Sequence, residues 1–161
     1  MVQISNRIKL WLILVISICV LSIVFLVEFG LGIEPCILCK YQRIPYFAAI
    51  LFTGMALNIK TANQVGTLDV ICVIFILSVV LAFYHYGIEQ HWWEVASGCG
   101  DFDRIPMNFE DFKSQLLAKL PKRCDEIDWT LFGLSMSGYN LLVSIGLVVF
   151  SLPYNLFHKK I

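Results

Sequence analysis

The sequence predicts an all-α membrane protein: a four-transmembrane-helix bundle with a short interfacial helix in its second outer loop. Three observations carry that expectation. Of 161 residues, 58% are hydrophobic and only 15% charged, with a mean hydropathy of +0.77; a soluble domain is roughly half apolar and a quarter charged. The apolar residues gather into four runs, and the charges between the runs segregate by sign. So few charged residues make lipid the expected solvent for much of the chain, and the formal net charge of zero gives no sign of nucleic acid as a partner.

The first run extends from Leu10 to Val27, behind Arg7 and Lys9. At about 1.5 Å per residue it rises about 27 Å, close to a hydrocarbon core of about 30 Å. A cleaved signal peptide would have a shorter apolar region and a small-residue cleavage site. Glu28-Phe29-Gly30 follows instead, so the segment is expected to stay as a span.

The second run, Ile44 to Ile59, is short, but Tyr41 and the preceding turn can extend it. Pro45 is tolerated in a first helical turn, where its missing N–H has no partner to lose. Asn58 to Gly66 reads as a polar turn. The third run, Val70 to Tyr86, leads into Tyr84, Tyr86, Trp92 and Trp93, rings suited to the headgroup level. The last run, Tyr139 to Leu152, is expected to start earlier, near Trp129 or Leu131, and ends before Lys159 and Lys160. The chain therefore reads as a single domain, 1–161. Its spans are expected at about 10–29, 43–59, 68–86 and 134–153, with outer loops at about 30–42 and 87–130.

Four spans put both termini on one side. That side carries Arg7, Lys9, Lys60, Lys159 and Lys160 against Asp69 alone, which marks it as cytoplasmic. Between Glu89 and Asp128, nine acidic residues face five basic ones, as expected of an outer loop. Within it, Phe109, Phe112, Leu116, Leu117 and Leu120 recur at helical spacing between Asn108, a candidate N-cap, and Pro121. Such a helix either lies in the membrane interface or packs on the bundle.

Of the six cysteines, Cys19 and Cys72 sit inside apolar runs and are expected to be inert. Cys36, Cys39, Cys99 and Cys124 all fall on the outer side, where disulfides persist. Three readings of the four are open. They form two structural disulfides, or a four-thiolate metal site, or a relay in which one pair is oxidised at the expense of the other. The Cys99–Cys124 spacing lacks the second close pair that a zinc site favours, so no metal is expected. Arg43, four residues after Cys39, is placed to favour a thiolate there, and Ser97-Gly98-Cys99-Gly100 suits attack by another protein. These features favour the relay.

A relay needs an electron acceptor. The sequence has neither a Gly-rich dinucleotide fingerprint nor C-x-x-C-H, so the expected acceptor is a quinone arriving through the bilayer. Arg43 is expected to stabilise developing negative charge on it. His85, at the outer end of the third span, either contacts the quinone or simply resides at the interface. Glu28 carries the same ambiguity.

Pro35-Cys36-Ile37-Leu38-Cys39-Lys40-Tyr41-Gln42-Arg43 resembles the signature of the disulfide bond formation protein B (DsbB) family, P-C-x-L-C-x-Y-[QE]-R. Tyr84-His85-Tyr86-Gly87-Ile88-Glu89, Ser97-Gly98-Cys99, Arg123-Cys124-Asp125 and Trp129-Thr130-Leu131-Phe132-Gly133-Leu134-Ser135-Met136 resemble further segments of that family, so the likeness covers nearly the whole chain. Gln42 stands where its best-known members carry an acidic residue. The vitamin K epoxide reductase family also uses two cysteine pairs and a quinone, but its quinone-facing C-x-x-C comes late in the chain.

The DsbB resemblance implies a bacterial inner-membrane enzyme that re-oxidises a periplasmic, DsbA-like thioredoxin-fold protein and passes electrons to the quinone pool, as ubiquinone or menaquinone. By the same resemblance, Cys99 receives the partner's attack, Cys124 is released to engage Cys36, Cys39 faces the quinone as a thiolate, and Arg43 and His85 lie near the quinone. The alternative is a non-enzymatic membrane module that binds a partner and carries two structural disulfides.

Overall fold

A computed structural model describes residues 5–59, 62–93, 123–125, 130–131 and 133–152. The first apolar run forms α1 (Asn6–Phe25), which continues without a break into a π-helical turn, Leu26–Gly30. Cys36 caps a five-residue helix, α2 (Ile37–Tyr41). Arg43 then caps α3 (Ile44–Asn58), with Pro45 in the first turn where it costs no hydrogen bond. Asn63 opens α4 (Gln64–Glu89) by accepting from the Gly66 N–H. That helix is longer than the third apolar run, because Gln64 to Asp69 and Gly87 to Glu89 join it at its two ends.

The last helix corrects an expectation. Its extension back toward Leu131 is absent: Thr130–Leu131 (β1) and Leu134–Ser135 (β2) form a small antiparallel hairpin. Gly133 turns it at φ +80°, a conformation glycine adopts without a Cβ penalty. Ser135 ends β2 and caps α5 (Met136–Ser151) by accepting from the Gly138 N–H. Trp129 lies outside the described residues, as do Cys99 and the helix expected over 108–120.

The four long helices pack around a core of Leu10, Ile13 and Leu21 from α1, Tyr46 and Ala49 from α3, Ile71 and Phe75 from α4, and Leu147 from α5. Small residues such as Ala49, Thr53, Ser78 and Ser144 are buried where the helices meet, the usual means of close approach in lipid. Outward positions remain apolar: Leu26, Leu51, Leu77 and Val149 are each more than 60% exposed. α1 with its π turn, and α4, are long and apolar enough to cross a membrane; α5 is apolar and shorter.

The helix ends sort into two poles. At one, Lys9 Nζ donates to the Leu152 carbonyl at 3.3 Å and lies over the Phe150 ring, joining the start of α1 to the end of α5. At the other, side chains from the end of α1, the start of α3, the end of α4 and the start of α5 converge. This second pole holds the polar chemistry.

Candidate functional site

Cys36 and Cys39 are free thiols with Sγ atoms 3.1 Å apart. The short helix α2 causes this closeness: Cys36 is its N-cap, and the Cys39 backbone N–H donates to Cys36 Sγ at 3.3 Å. A cap accepting from the third residue of its helix brings positions i and i+3 onto one face. The two thiols then split in acidity. Cys36 is lowered to about 4, chiefly by its hydrogen bond with Cys39, against the cost of burial and with help from His85. Cys39 is pushed up, first by the same bond, then by burial and by the negative charges of Cys36 and Glu89.

The sequence expectation for Arg43 is therefore corrected. The charges acting on Cys39 are Cys36 and Glu89. Arg43 instead pairs with Glu28 at 2.5 Å, and its guanidinium lies 5.1 Å from the centre of the Phe25 ring. The π-helical turn carries Glu28 at this pole, a common use of such turns.

His85 is 1% exposed and sits between three partners. Its Nε2 lies 3.5 Å from Cys36 Sγ and 3.6 Å from Glu89 Oε1, one helical turn further along α4. Its Nδ1 lies 3.0 Å from Gln42 Nε2. Glu89 in turn accepts hydrogen bonds at Oε2 from the Ser135 and Ser137 hydroxyls at the start of α5. Cys36, Cys39 and His85 thus place three donor atoms within 4.8 Å of one another, close enough to share a soft cation.

Cys124 is fully buried and disulfide-bonded. It shares a small apolar cluster with Cys36 and Ile88, against which Leu38, Cys39 and Tyr84 pack. Beside it, Arg123 grips Asp125 through two hydrogen bonds, which hold the Asp125 carboxyl below its usual range. Three of the four cysteines expected on the outer side are thus neighbours, and the fourth, Cys99, lies outside the described residues.

A cavity of about 390 Å³ opens beside the pair, bounded by Val20 and Val24 of α1 and Val27 of the π-helical turn and reached by Cys39, Arg43 and His85. Two buried donors that line it, Arg43 Nε and Asn140 Nδ2, have no partner among the described residues. The Asn140 oxygen is engaged, accepting from the Tyr46 hydroxyl at 2.6 Å.

Sequence reasoning did not select Gln42, Glu89, Ser135, Ser137 or Asn140. One of them was within reach: His85 and Glu89 stand four apart on a helix and must share a face. The serines and Asn140 gave no signal, because ordinary polar residues open many helices.

The sequence model of the family described as Disulfide bond formation protein DsbB matches residues 6–153. An uncharacterized protein of Rickettsia prowazekii is 32% identical over 147 residues, covering 90% of this chain and 84% of its own length. Disulfide bond formation protein B of Methylobacillus flagellatus is 36% identical over 135 residues, covering 80% of each. The protein of that name from Xanthomonas oryzae pv. oryzae is 33% identical over 138 residues, with 78% of this chain and 76% of its own covered.

Proposed function

Because the chain belongs to the disulfide bond formation protein B family of membrane proteins, we propose that it is a thiol oxidase. On this reading it re-oxidises a DsbA-like periplasmic dithiol protein and delivers the electrons to a membrane quinone. The carrying observation is the packing of half-buried Cys39 against buried Cys36 and Cys124 at the polar pole, with Cys36 and Cys39 as thiols and Cys124 oxidised.

The thiol steps balance as exchanges. With Cys36–Cys39 oxidised and Cys99 paired to Cys124, a partner thiolate attacks Cys99 and releases Cys124. The Cys124 thiolate attacks Cys36 and releases Cys39. The partner's second thiol then frees Cys99, which returns to Cys124 and leaves Cys36 reduced. The partner has lost two electrons and Cys36/Cys39 have gained them, so a dithiol beside an oxidised Cys124 is the state that one turnover leaves. While Cys36 is held in a disulfide to Cys124, it carries no thiolate to accept a hydrogen bond from the Cys39 thiol or to oppose a charge on it. The two Cys36 contributions that raise the Cys39 thiol then vanish.

A bound quinone supplies a two-electron, two-proton acceptor, as ubiquinone or menaquinone. The residues fit one: the cavity is mostly apolar, of ligand size, and offers Arg43 Nε and Asn140 Nδ2 as donors to acceptor oxygens. Arg43, His85 and Asn140 would hold it, while Val20, Val24 and Val27 exclude water from the thiols.

Two other readings fit less well. A four-thiolate metal site needs Cys124 as a thiolate, and it is oxidised. Two structural disulfides need Cys36 joined to Cys39, and both are free.

The bundle is read as four spans of a bacterial inner membrane, with the Lys9–Leu152 pole cytoplasmic and the cysteine pole periplasmic. The antiparallel succession of α1, α3, α4 and α5, with ends meeting at two poles, supports it. Stopped-flow mixing of purified protein with reduced partner and quinone tests the activity; failure to form quinol rejects it.

A further inference from the structure

The imidazole of His85 has two inequivalent sides, and Gln42 decides between them. Gln42 is buried, and its side-chain nitrogen lies 3.0 Å from His85 Nδ1. An amide NH₂ has hydrogens and no lone pair to accept with, so Nδ1 must be the accepting, unprotonated nitrogen. The opposite side agrees independently. His85 Nε2 faces Cys36 Sγ at 3.5 Å and Glu89 Oε1 at 3.6 Å, a sulfur and a carboxylate, both of which call for a proton on Nε2. Glu89 cannot turn away, because its other oxygen is held by Ser135 and Ser137.

We propose that Gln42 is a positioning residue that holds His85 as the neutral Nε2–H tautomer, so that the ring donates a hydrogen bond to Cys36 instead of receiving its proton. The acceptor lone pair of His85 then points at Gln42, away from the sulfurs. His85 acts as a fixed donor that stabilises the Cys36 thiolate and leaves the thiol's proton to go elsewhere. Replacing Gln42 by glutamate would reverse the polarity: a carboxylate accepts, and the proton it accepts must come from Nδ1. One side chain thus selects whether the ring presents donor or acceptor character to the cysteine pair. The inference rests on the thiol-oxidase reading only for its consequence in turnover, since the ring state belongs to the reduced protein without quinone.

Nitrogen NMR of reduced, ¹⁵N-histidine-labelled protein in detergent tests it, with His85 assigned by its loss in His85→Asn. The expected spectrum has a protonated Nε2 and an unprotonated Nδ1. Gln42→Glu should protonate Nδ1. Gln42→Leu should shift the tautomer ratio about fivefold toward Nδ1–H, the change made by losing one net hydrogen bond of ordinary strength. A wild-type ring protonated at Nδ1 overturns the proposal, as does a ring state unchanged in Gln42→Glu. Neither result bears on whether quinol forms, so failure here and failure of the oxidase reading are separable.

Discussion

Cys36 and Cys39 lie 3.1 Å apart between sulfurs and yet have opposite acidities, chiefly because the hydrogen bond between them favours the thiolate on Cys36 and the thiol on Cys39, with His85 helping to lower Cys36 and the Glu89 charge helping to raise Cys39. The thiol that ionises first is therefore the one packed beside Cys124 in the shared cluster. In the reduced protein, ultraviolet thiolate absorbance should rise near pH 4 and disappear in Cys36→Ser, with Cys39→Ser losing most of the acid shift. A first thiolate appearing at the ordinary thiol value would overturn the assignment.

The same pair sets a pH dependence of stability. Cys36 has a folded value of about 4 against an ordinary 9.0, so the unfolded chain binds the extra proton between those values. Stability from this group is fully present above the ordinary thiol value and is lost as pH falls through about 4. Cys39 has the opposite sign: its contribution is present below the ordinary value and fades as pH rises toward its raised one. Denaturation of the reduced protein should therefore show a stability gain from pH 5 to 8 that Cys36→Ser abolishes.

Arg43→Lys keeps a charge for Glu28 but removes the Nε donor that lines the cavity. Quinone affinity should fall about fivefold, the equivalent of one hydrogen bond, while Cys36 and Cys39 still form a disulfide on mild oxidation. Binding of a quinone analogue, followed by tryptophan quenching, measures it; unchanged affinity would remove Arg43 from the site.

Gly87 lies where α4 passes under Trp93, and a Cβ there would fall 2.0 Å from the indole. Trp93 is stacked on Tyr84 and donates to its carbonyl at 3.0 Å, so it does not yield freely. Gly87→Ala should destabilise by about 1–3 kcal/mol through overpacking, against the usual helical gain from alanine. Thermal unfolding and tryptophan emission check it.

Cys124→Ser separates a relay from a structural disulfide. On the relay reading, turnover with reduced partner should fall to background while the midpoint of thermal unfolding moves little. A large loss of stability with residual turnover would favour the structural role.

Much of this arrangement is legible in the residue order. Unbroken apolar runs have only lipid or a helix interior to go to, and a C-x-x-C beside one must sit at its rim. Arg43 and His85 fall at the ends of such runs, so their placement at one pole followed from length alone. The start of α5 did not follow. Thr130 to Ser135 carries apolar residues that suit a helix or a strand, and Gly133 with its positive φ decides for a hairpin.

The amino-acid order by itself determined the apolar surroundings of the helices, the two unlike poles and the place of Cys36 and Cys39 at one of them, because burial of apolar runs is a local property of the chain. The tertiary structure alone decided which of the two thiols is the more acidic, that Arg43 pairs with Glu28, and that Gln42, His85, Glu89, Ser135 and Ser137 form one line of polar contacts, hydrogen-bonded at both ends. Those residues come from three separate segments, and a hydrogen bond depends on ångström-scale distances that only the packing of one helix on another can set.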